Sequence, residues 1–346
     1  VRNVHRYSKS SSPTQGDVHV NAPLTNVSVA YIQDASNFIA DRVFPNIPVL
    51  KQSDRYYVYD RADFNRDEME ERAPGTESAG GGYDLDNTPT YFAPKFAYHK
   101  DVADEIRANS DSVLNPDRDA TIFVTQKALI KRERTWAARY FKQGIWQFGA
   151  VGVDFQPSDG DTTEFLQWSD HGSTPIEDIR AAKRRVQQQT GFKPNKIVFG
   201  PTVYDAIVDH PDVIDRIKYS SSPNSPAIAN VNTLAQLFEV DEVLVMEAIV
   251  NLAPKGATED SQFIGGNNCL LAYVTKTPGI MTPTAGYTFS WNGWMGVTGM
   301  GHRIKRFRME HLESDRIEVQ MAYDQKVVGS DLGYFFENAV HNPASS

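Results

Sequence analysis

The sequence predicts an α+β fold, and three stretches carry that prediction. The first is a capped, two-faced helix from about Asn115 to Gly144. The second is a long polar tract, 61–86, held between strand-like flanks. The third is an alternation of helix and strand from Thr174 onward that gives way to strands near the end of the chain. No fixed-period repeat of the solenoid kind is present.

The bulk numbers narrow the classes. With 346 residues, 40% hydrophobic and 23% charged, the chain can bury cores in two or three packed units. A net charge of −9 excludes a globally basic nucleic-acid binder, so contact with nucleic acid should be local. The single cysteine, Cys269, forbids an intrachain disulfide or a cysteine-based zinc site. It opens the run Cys269-Leu270-Leu271-Ala272-Tyr273-Val274, which reads as a buried strand with an inert thiol. No apolar stretch reaches the roughly 20 residues that span a bilayer, so no membrane is expected as a partner, and no signal peptide is visible.

In chain order, residues 1–30 read as an arm, Ser-rich and basic at Arg2, His5, Arg6 and Lys9. Residues 31–52 hold a short helix from Asp34 to Arg42, broken by Phe44-Pro45-Asn46-Ile47-Pro48. Segment 53–100 pairs the strand-forming Tyr56-Tyr57-Val58-Tyr59 with Thr90-Tyr91-Phe92-Ala93 and Phe96-Ala97-Tyr98-His99. Between them lie Asp67-Glu68-Met69-Glu70-Glu71 and Gly80-Gly81-Gly82, giving a projecting hairpin with a charged, flexible tip. Segment 101–173 contains the long helix, 116–144. Asn115 is its N-cap, Pro116 suits its first turn, Asp117 and Asp119 favour its positive end, and Gly144 is its stop. At about 100° per residue, Ile122, Phe123, Leu129, Ile130, Trp136, Ala137, Tyr140 and Phe141 share one arc. Lys127, Lys131, Arg134 and Lys142 share another, with Arg132 and Arg139 beside them. About thirty residues make a strut roughly 45 Å long.

Segment 174–297 opens with a capping box, Thr174-Pro175-Ile176-Glu177, on a helix closed by Gly191. A strand at Lys196–Gly200, a helix from Pro201 toward Asp209, a Ser/Pro loop from Ser220 to Ala229, a short helix at Leu234–Phe238 and a strand at Val243–Ile249 follow. Segment 298–346 returns as strands. His302–Leu312 carries Arg303, Lys305, Arg306 and Arg308, and Ile317, Val319, Met321 and Tyr323 alternate as a half-buried strand.

Signatures of catalysis are missing from the sequence. Gly80-Gly81-Gly82 lacks a phosphate loop's Gly-Lys-Ser/Thr ending. There is no Gly-x-Ser-x-Gly elbow and no His-Glu-x-x-His helix. The eight histidines are scattered, and His302 and His311 stand too far apart on one strand to share an ion. The chain is therefore read as no enzyme, with no cofactor and no metal. Asp67, Glu68, Glu70 and Glu71 read as a solvated loop, a cation site, or an acidic surface for a neighbour's basic strand at Arg303, Lys305, Arg306 and Arg308. Lys127, Lys131, Arg134 and Lys142 read as a solvated face or as phosphate contacts without sequence preference.

The run Lys100-Asp101-Val102-Ala103-Asp104-Glu105-Ile106-Arg107-Ala108-Asn109, then Asn115-Pro116-Asp117-Arg118-Asp119-Ala120-Thr121, then Lys131-Arg132-Glu133-Arg134-Thr135-Trp136-Ala137, resembles the major capsid proteins of tailed bacteriophages. The order of elements is similar over nearly the whole chain. The resemblance implies a Hong Kong 97-type capsid fold. It implies an N-terminal arm (1–30), an extended loop (53–100) lying over an adjacent subunit, and a peripheral domain with spine helix 116–144. It also implies an axial α/β domain (174–297) and return strands completing the peripheral domain. The implied function is structural: self-assembly into pentamers and hexamers of an icosahedral shell around double-stranded DNA. The implied partners are further copies, a portal, a separate scaffolding protein and a decoration protein, with assembly in the bacterial cytoplasm and residence in the virion capsid. The Lys–Asn cross-link of some relatives finds no matching site here. Two alternatives stand beside it: another phage structural protein, such as a tail tube or decoration subunit, and an α/β enzyme built on residues 174–275.

Overall fold

The structure is a computed structural model and describes residues 32–110, 114–158, 162–220, 229–279, 281–293 and 302–341. The expected arm, 1–30, lies outside these residues, as does most of the Ser/Pro loop at 220–229.

Two sheets organise the chain. The six-stranded sheet has the order Glu242–Val245, Lys196–Phe199, Cys269–Ala272, Gly333–Glu337, Phe148–Val153, Glu164–Leu166. It is mixed: Cys269–Ala272 runs antiparallel to both of its neighbours, whereas the outer pairs are parallel. Both faces are covered, which is why its strands read as continuous apolar runs. Ile197, Phe199, Cys269, Leu271, Tyr334 and Phe336 point to one side, under the helices Pro175–Thr190, Pro201–Asp209, Pro211–Ser220 and Val231–Leu237. Val198, Leu270, Ala272 and Phe335 point to the other, against Ile39–Phe44 and Trp136, Ala137 and Phe141. This is the period-2 alternation of strand side chains. Cys269 is fully buried in the middle of the sheet, and burial pushes its thiol well above the usual range.

The five-stranded sheet runs Asn46–Val49, Gly286–Trp291, Ser314–Val327, His302–Met309, with Lys95–Ala103 also paired to Ser314–Val327. Ile317, Val319, Met321 and Tyr323 pack inward, as their alternation predicts. Gln320, Ala322 and Asp324 between them are buried too, because the strand is covered on both sides there. The sheets do not follow the expected segment boundaries: the six-stranded sheet takes strands from both sides of 174–297, and the late strand Gly333–Glu337 lies in its middle.

The long helix runs Pro116–Tyr140, 25 residues and about 37 Å. Asn115 caps it, its side chain accepting from the Arg118 N–H at 3.0 Å. It stops short of the expected Gly144, which instead takes a left-handed turn (φ 82°) in the loop that follows. The expected apolar arc also needs correction. Ala120, Val124, Ala128, Arg132, Glu133, Trp136 and Ala137 are buried, whereas Phe123 is 39% exposed and Ile122, Leu129 and Ile130 are only half-buried. Small side chains at 120, 124 and 128 let the first half lie close on the five-stranded sheet, and Trp136 and Ala137 dock the last turns on the six-stranded sheet. The helix thus ties the two sheets together.

The Thr174 capping box does not form: no side-chain bond caps the helix, and the Thr174 carbonyl accepts from the Asp178 N–H instead. Gly191 closes that helix in the left-handed conformation, φ 80°. Lys183 reaches across to donate to the carbonyls of Phe238 and Glu239, satisfying the open end of the helix Val231–Leu237. Burial lowers its pKa to about 8.

Candidate assembly surfaces

The polar tract is a built hairpin. Ser53–Arg55 pairs antiparallel with Thr90–Phe92, and Val58–Tyr59 with Leu85–Asp86. Its base is fastened to the body: Tyr91 stacks on Phe289 at 4.6 Å, and the Phe92 N–H donates to Asp324 at 3.0 Å. Arg61 is paired with Asp331. Further out, a helical turn, Arg61–Phe64, is capped by Asp60, and Tyr59, Phe64 and Tyr83 pack as a trio with centroids 5.5–6.1 Å apart. Asp67, Glu68, Met69, Glu70 and Glu71 are all exposed, Met69 at 92%. Glu68 pairs with Arg66 at 3.5 Å; among the described residues Asp67, Glu70 and Glu71 have no charged partner.

The basic strand is engaged within its own chain. Arg306 contacts Asp315 (2.6 Å) and Asp117 (3.3 Å), and Arg308 contacts Asp104 (2.5 Å). Arg107 joins the same three carboxylates at 2.8–3.0 Å. Three arginines and three aspartates close a network over the first turn of the long helix. Hydrogen bonds from Arg308 and Arg306 hold the carboxyls of Asp104 and Asp315 below the usual range. Arg303 donates to Gln320 at 2.9 Å. Lys305 is exposed opposite Glu318 in the register. No contact joins Asp67–Glu71 to Arg303–Arg308 within one chain among the described residues.

Of the basic helix residues, Lys127 and Lys131 lean onto aromatic rings. The strand Lys95–Ala103 lies along the edge of the five-stranded sheet, with Phe96, Tyr98, Lys100 and Val102 on the helix-facing side. Beside it, the helix presents Phe123, Lys127 and Lys131 at successive turns. Lys100 Nζ and Lys127 Nζ lie 5.3 and 5.4 Å from the Phe123 centroid, and Lys131 Nζ lies 5.4 Å from that of Phe96. Tyr98 and Phe123 approach to 6.0 Å, yet Tyr98 remains 46% exposed. At the helix start the seam opens into a cavity of about 270 Å³ lined by Val102, Ala103, Ile106, Leu114 and Pro116, with Lys100 on its wall. Arg134 and Lys142 point into solvent without a partner among the described residues.

Two buried polar sites carry the interior chemistry. His210 meets Ser173 at 3.1 Å, a pair that resembles a nucleophile and its base. Its Nδ1 accepts from the Asp212 N–H, so in the neutral ring the hydrogen sits on Nε2, which faces the Asp170 carbonyl at 3.2 Å. A ring held in that tautomer cannot take a proton from Ser173; the pair is a structural tie. Glu133, 1% exposed, accepts from the Ala40 N–H at 2.9 Å and from Ile39. Neighbouring Arg132 pairs with Asp41 at 2.7 Å. Burial raises the Glu133 pKa to about 7. The sequence sets Arg132 beside the basic face and gives no local sign that Glu133 is buried.

Among the described residues no group of His, Cys, Asp and Glu is placed to hold a metal ion, and no helix is long and apolar enough to cross a membrane.

Comparison with known proteins decides what these surfaces belong to. The family model for phage major capsid protein E matches residues 154–321. The major capsid protein of Burkholderia phage BcepMu is 24% identical, over 91% of this chain and 95% of its own. That of Pseudomonas phage JBD67 is 26% identical, over 93% and 97%. Over more than nine-tenths of its length the chain is similar to phage major capsid proteins. The solved capsid of cyanophage P-SCSP1u superposes with a TM-score of 0.57 at 11% identity, covering 96% of both chains, which shows the Hong Kong 97-type fold. The candidate working parts of this chain are therefore the surfaces described above.

Proposed function

We propose that the chain assembles into pentamers and hexamers that close an icosahedral shell around a double-stranded DNA genome. The observation that carries this reading is the hairpin from Ser53 to Phe92. Tyr57, Phe64, Met69, Tyr83, Leu85 and Phe92 are 45–92% exposed on it, more apolar surface than an isolated projecting loop would keep in water. Neighbouring copies in a lattice supply the missing cover, and permanent interfaces of this kind commonly bury 2,000 Å² or more. The six-stranded sheet with its helices is the axial part, and the five-stranded sheet with the long helix the peripheral part. A portal, a scaffolding protein and a decoration protein complete the particle, which forms in the bacterial cytoplasm.

Native mass spectrometry of the purified chain tests this. Five- and six-copy rings are expected. A chain that stays monomeric at high concentration and in the presence of its scaffolding protein contradicts it.

A further inference from the structure

The cavity at the start of the long helix is lined for a ligand. It lies where four elements meet: the end of Lys95–Ala103, the turn Asp104–Ala108, the first turn of the long helix, and the tip Glu310–Leu312 that leads into Ser314–Val327. Its volume is about 270 Å³, and Val102, Ala103, Ile106, Leu114, Pro116 and Leu312 make the lining mostly apolar. An apolar cavity of roughly 150 Å³ already takes up benzene, so this one has room for a ring with a substituent. One polar group interrupts the apolar wall. Ser314 lines the cavity, stands opposite Ala103 in the register and is 3% exposed. Its Oγ has no hydrogen-bond partner among the described residues. A buried hydroxyl left in that state is destabilising, and a polar atom of a ligand in the cavity would satisfy it.

We propose that this cavity binds a small neutral amphiphile, an alcohol or a phenol, with its hydroxyl on Ser314 Oγ and its apolar body among Ile106, Leu114 and Leu312. Charge on the wall decides against an ion. Asp101 is held by the Arg316 guanidinium at 2.7 and 2.8 Å. The remaining pair, Lys100 and the first-turn residue Asp119, sums to zero. An entering ion would shed its water and meet no net opposite charge, whereas a neutral molecule pays little to leave water and gains the hydroxyl contact. A molecule seated there touches the helix start and the strand tip together, so it stabilises the chain by mass action. The site lies within one chain, so it stands or falls separately from the shell reading.

The test is fluorine NMR with para-fluorophenol and fluorobenzene as probes, on the free chain and on closed particles; the free chain decides alone if no particles form. Saturable broadening of the para-fluorophenol signal is expected with both samples. Ala103→Leu, which fills the cavity, is expected to abolish it. If that variant does not fold, Leu312→Trp at the half-exposed tip takes its place. Ser314→Ala is expected to weaken para-fluorophenol about threefold to tenfold and to leave fluorobenzene no weaker. Broadening that does not saturate, or that survives in the filled variant, overturns the proposal. So does a Ser314→Ala chain that binds para-fluorophenol as the wild type does, because the hydroxyl would then not be the partner. Binding to the free chain that vanishes in closed particles also overturns it, and would assign the cavity to a side chain of a neighbouring copy.

Discussion

Glu133 is the residue with most to say about how the chain is held. Its carboxylate receives the N–H groups of Ile39 and Ala40 from inside the core, so it fixes the segment before Phe44 to the long helix. Its folded pKa of about 7 stands above the usual 4.5, so the folded chain keeps a proton there that the unfolded chain releases. Stability from this group is fully present below about pH 4.5 and is lost as the pH rises through about 7. Melting curves of the wild type and of Glu133→Gln between pH 4.5 and 8 should therefore diverge. The wild type should lose stability relative to the variant as the pH rises, and parallel curves would contradict the assignment. None of this was legible in the sequence: a charged residue inside Lys131-Arg132-Glu133-Arg134 reads as solvated, since lone buried charges are rare. What reverses the reading is a partner 93 residues away, which no local pattern encodes. Cys269 was legible, because an unbroken apolar run around it demands cover on both faces.

At the scale of elements, local chemistry fixed the beginning of the long helix better than its end. Asn115-Pro116-Asp117 announced the long helix, and the cap is made by the Asn115 side chain. Asn115→Ala should cost about 1 kcal/mol in stability, read by denaturant unfolding, with no change in the helix's position. Gly144 misled because the helix gives out at Tyr140, where Trp146 turns back to donate its indole N–H to the Tyr140 carbonyl at 2.9 Å. The buried face was misjudged for a related reason. Large side chains mark the apolar arc in the sequence, yet a helix lying close on a sheet buries Ala120, Val124 and Ala128 and leaves Phe123 at the margin. Further along, Trp136 is fully buried between Phe44 and Phe141 at 5.7–5.9 Å. Trp136→Ala should cost about 3–5 kcal/mol and loosen both sheets at once. A smaller loss in thermal unfolding would show that the strut does not couple them.

For the whole molecule, the sequence made the order of parts legible and left their pairing hidden. The hairpin was visible as strand-forming flanks around a polar tract, whereas the return of Gly333–Glu337 to the middle of the six-stranded sheet depends on pairing with strands far away in the sequence. The surfaces follow the same rule. Charge runs located Asp67–Glu71 and the basic residues, but only the fold shows that Arg306 and Arg308 are engaged at home while Arg134 and Lys142 remain free among the described residues. Those two are the remaining candidates for contact with a packaged genome. Arg134→Ala with Lys142→Ala should leave particles intact and lower their retained DNA, measured by absorbance ratio after purification; unchanged retention would remove that role. The central claim is that this chain closes into a shell. Negative-stain electron microscopy of the purified protein, together with its size-exclusion profile, tests it most directly. Rings, sheets, tubes or closed shells are the expected result; a compact monomer that persists with scaffolding protein and crowding agents would contradict it.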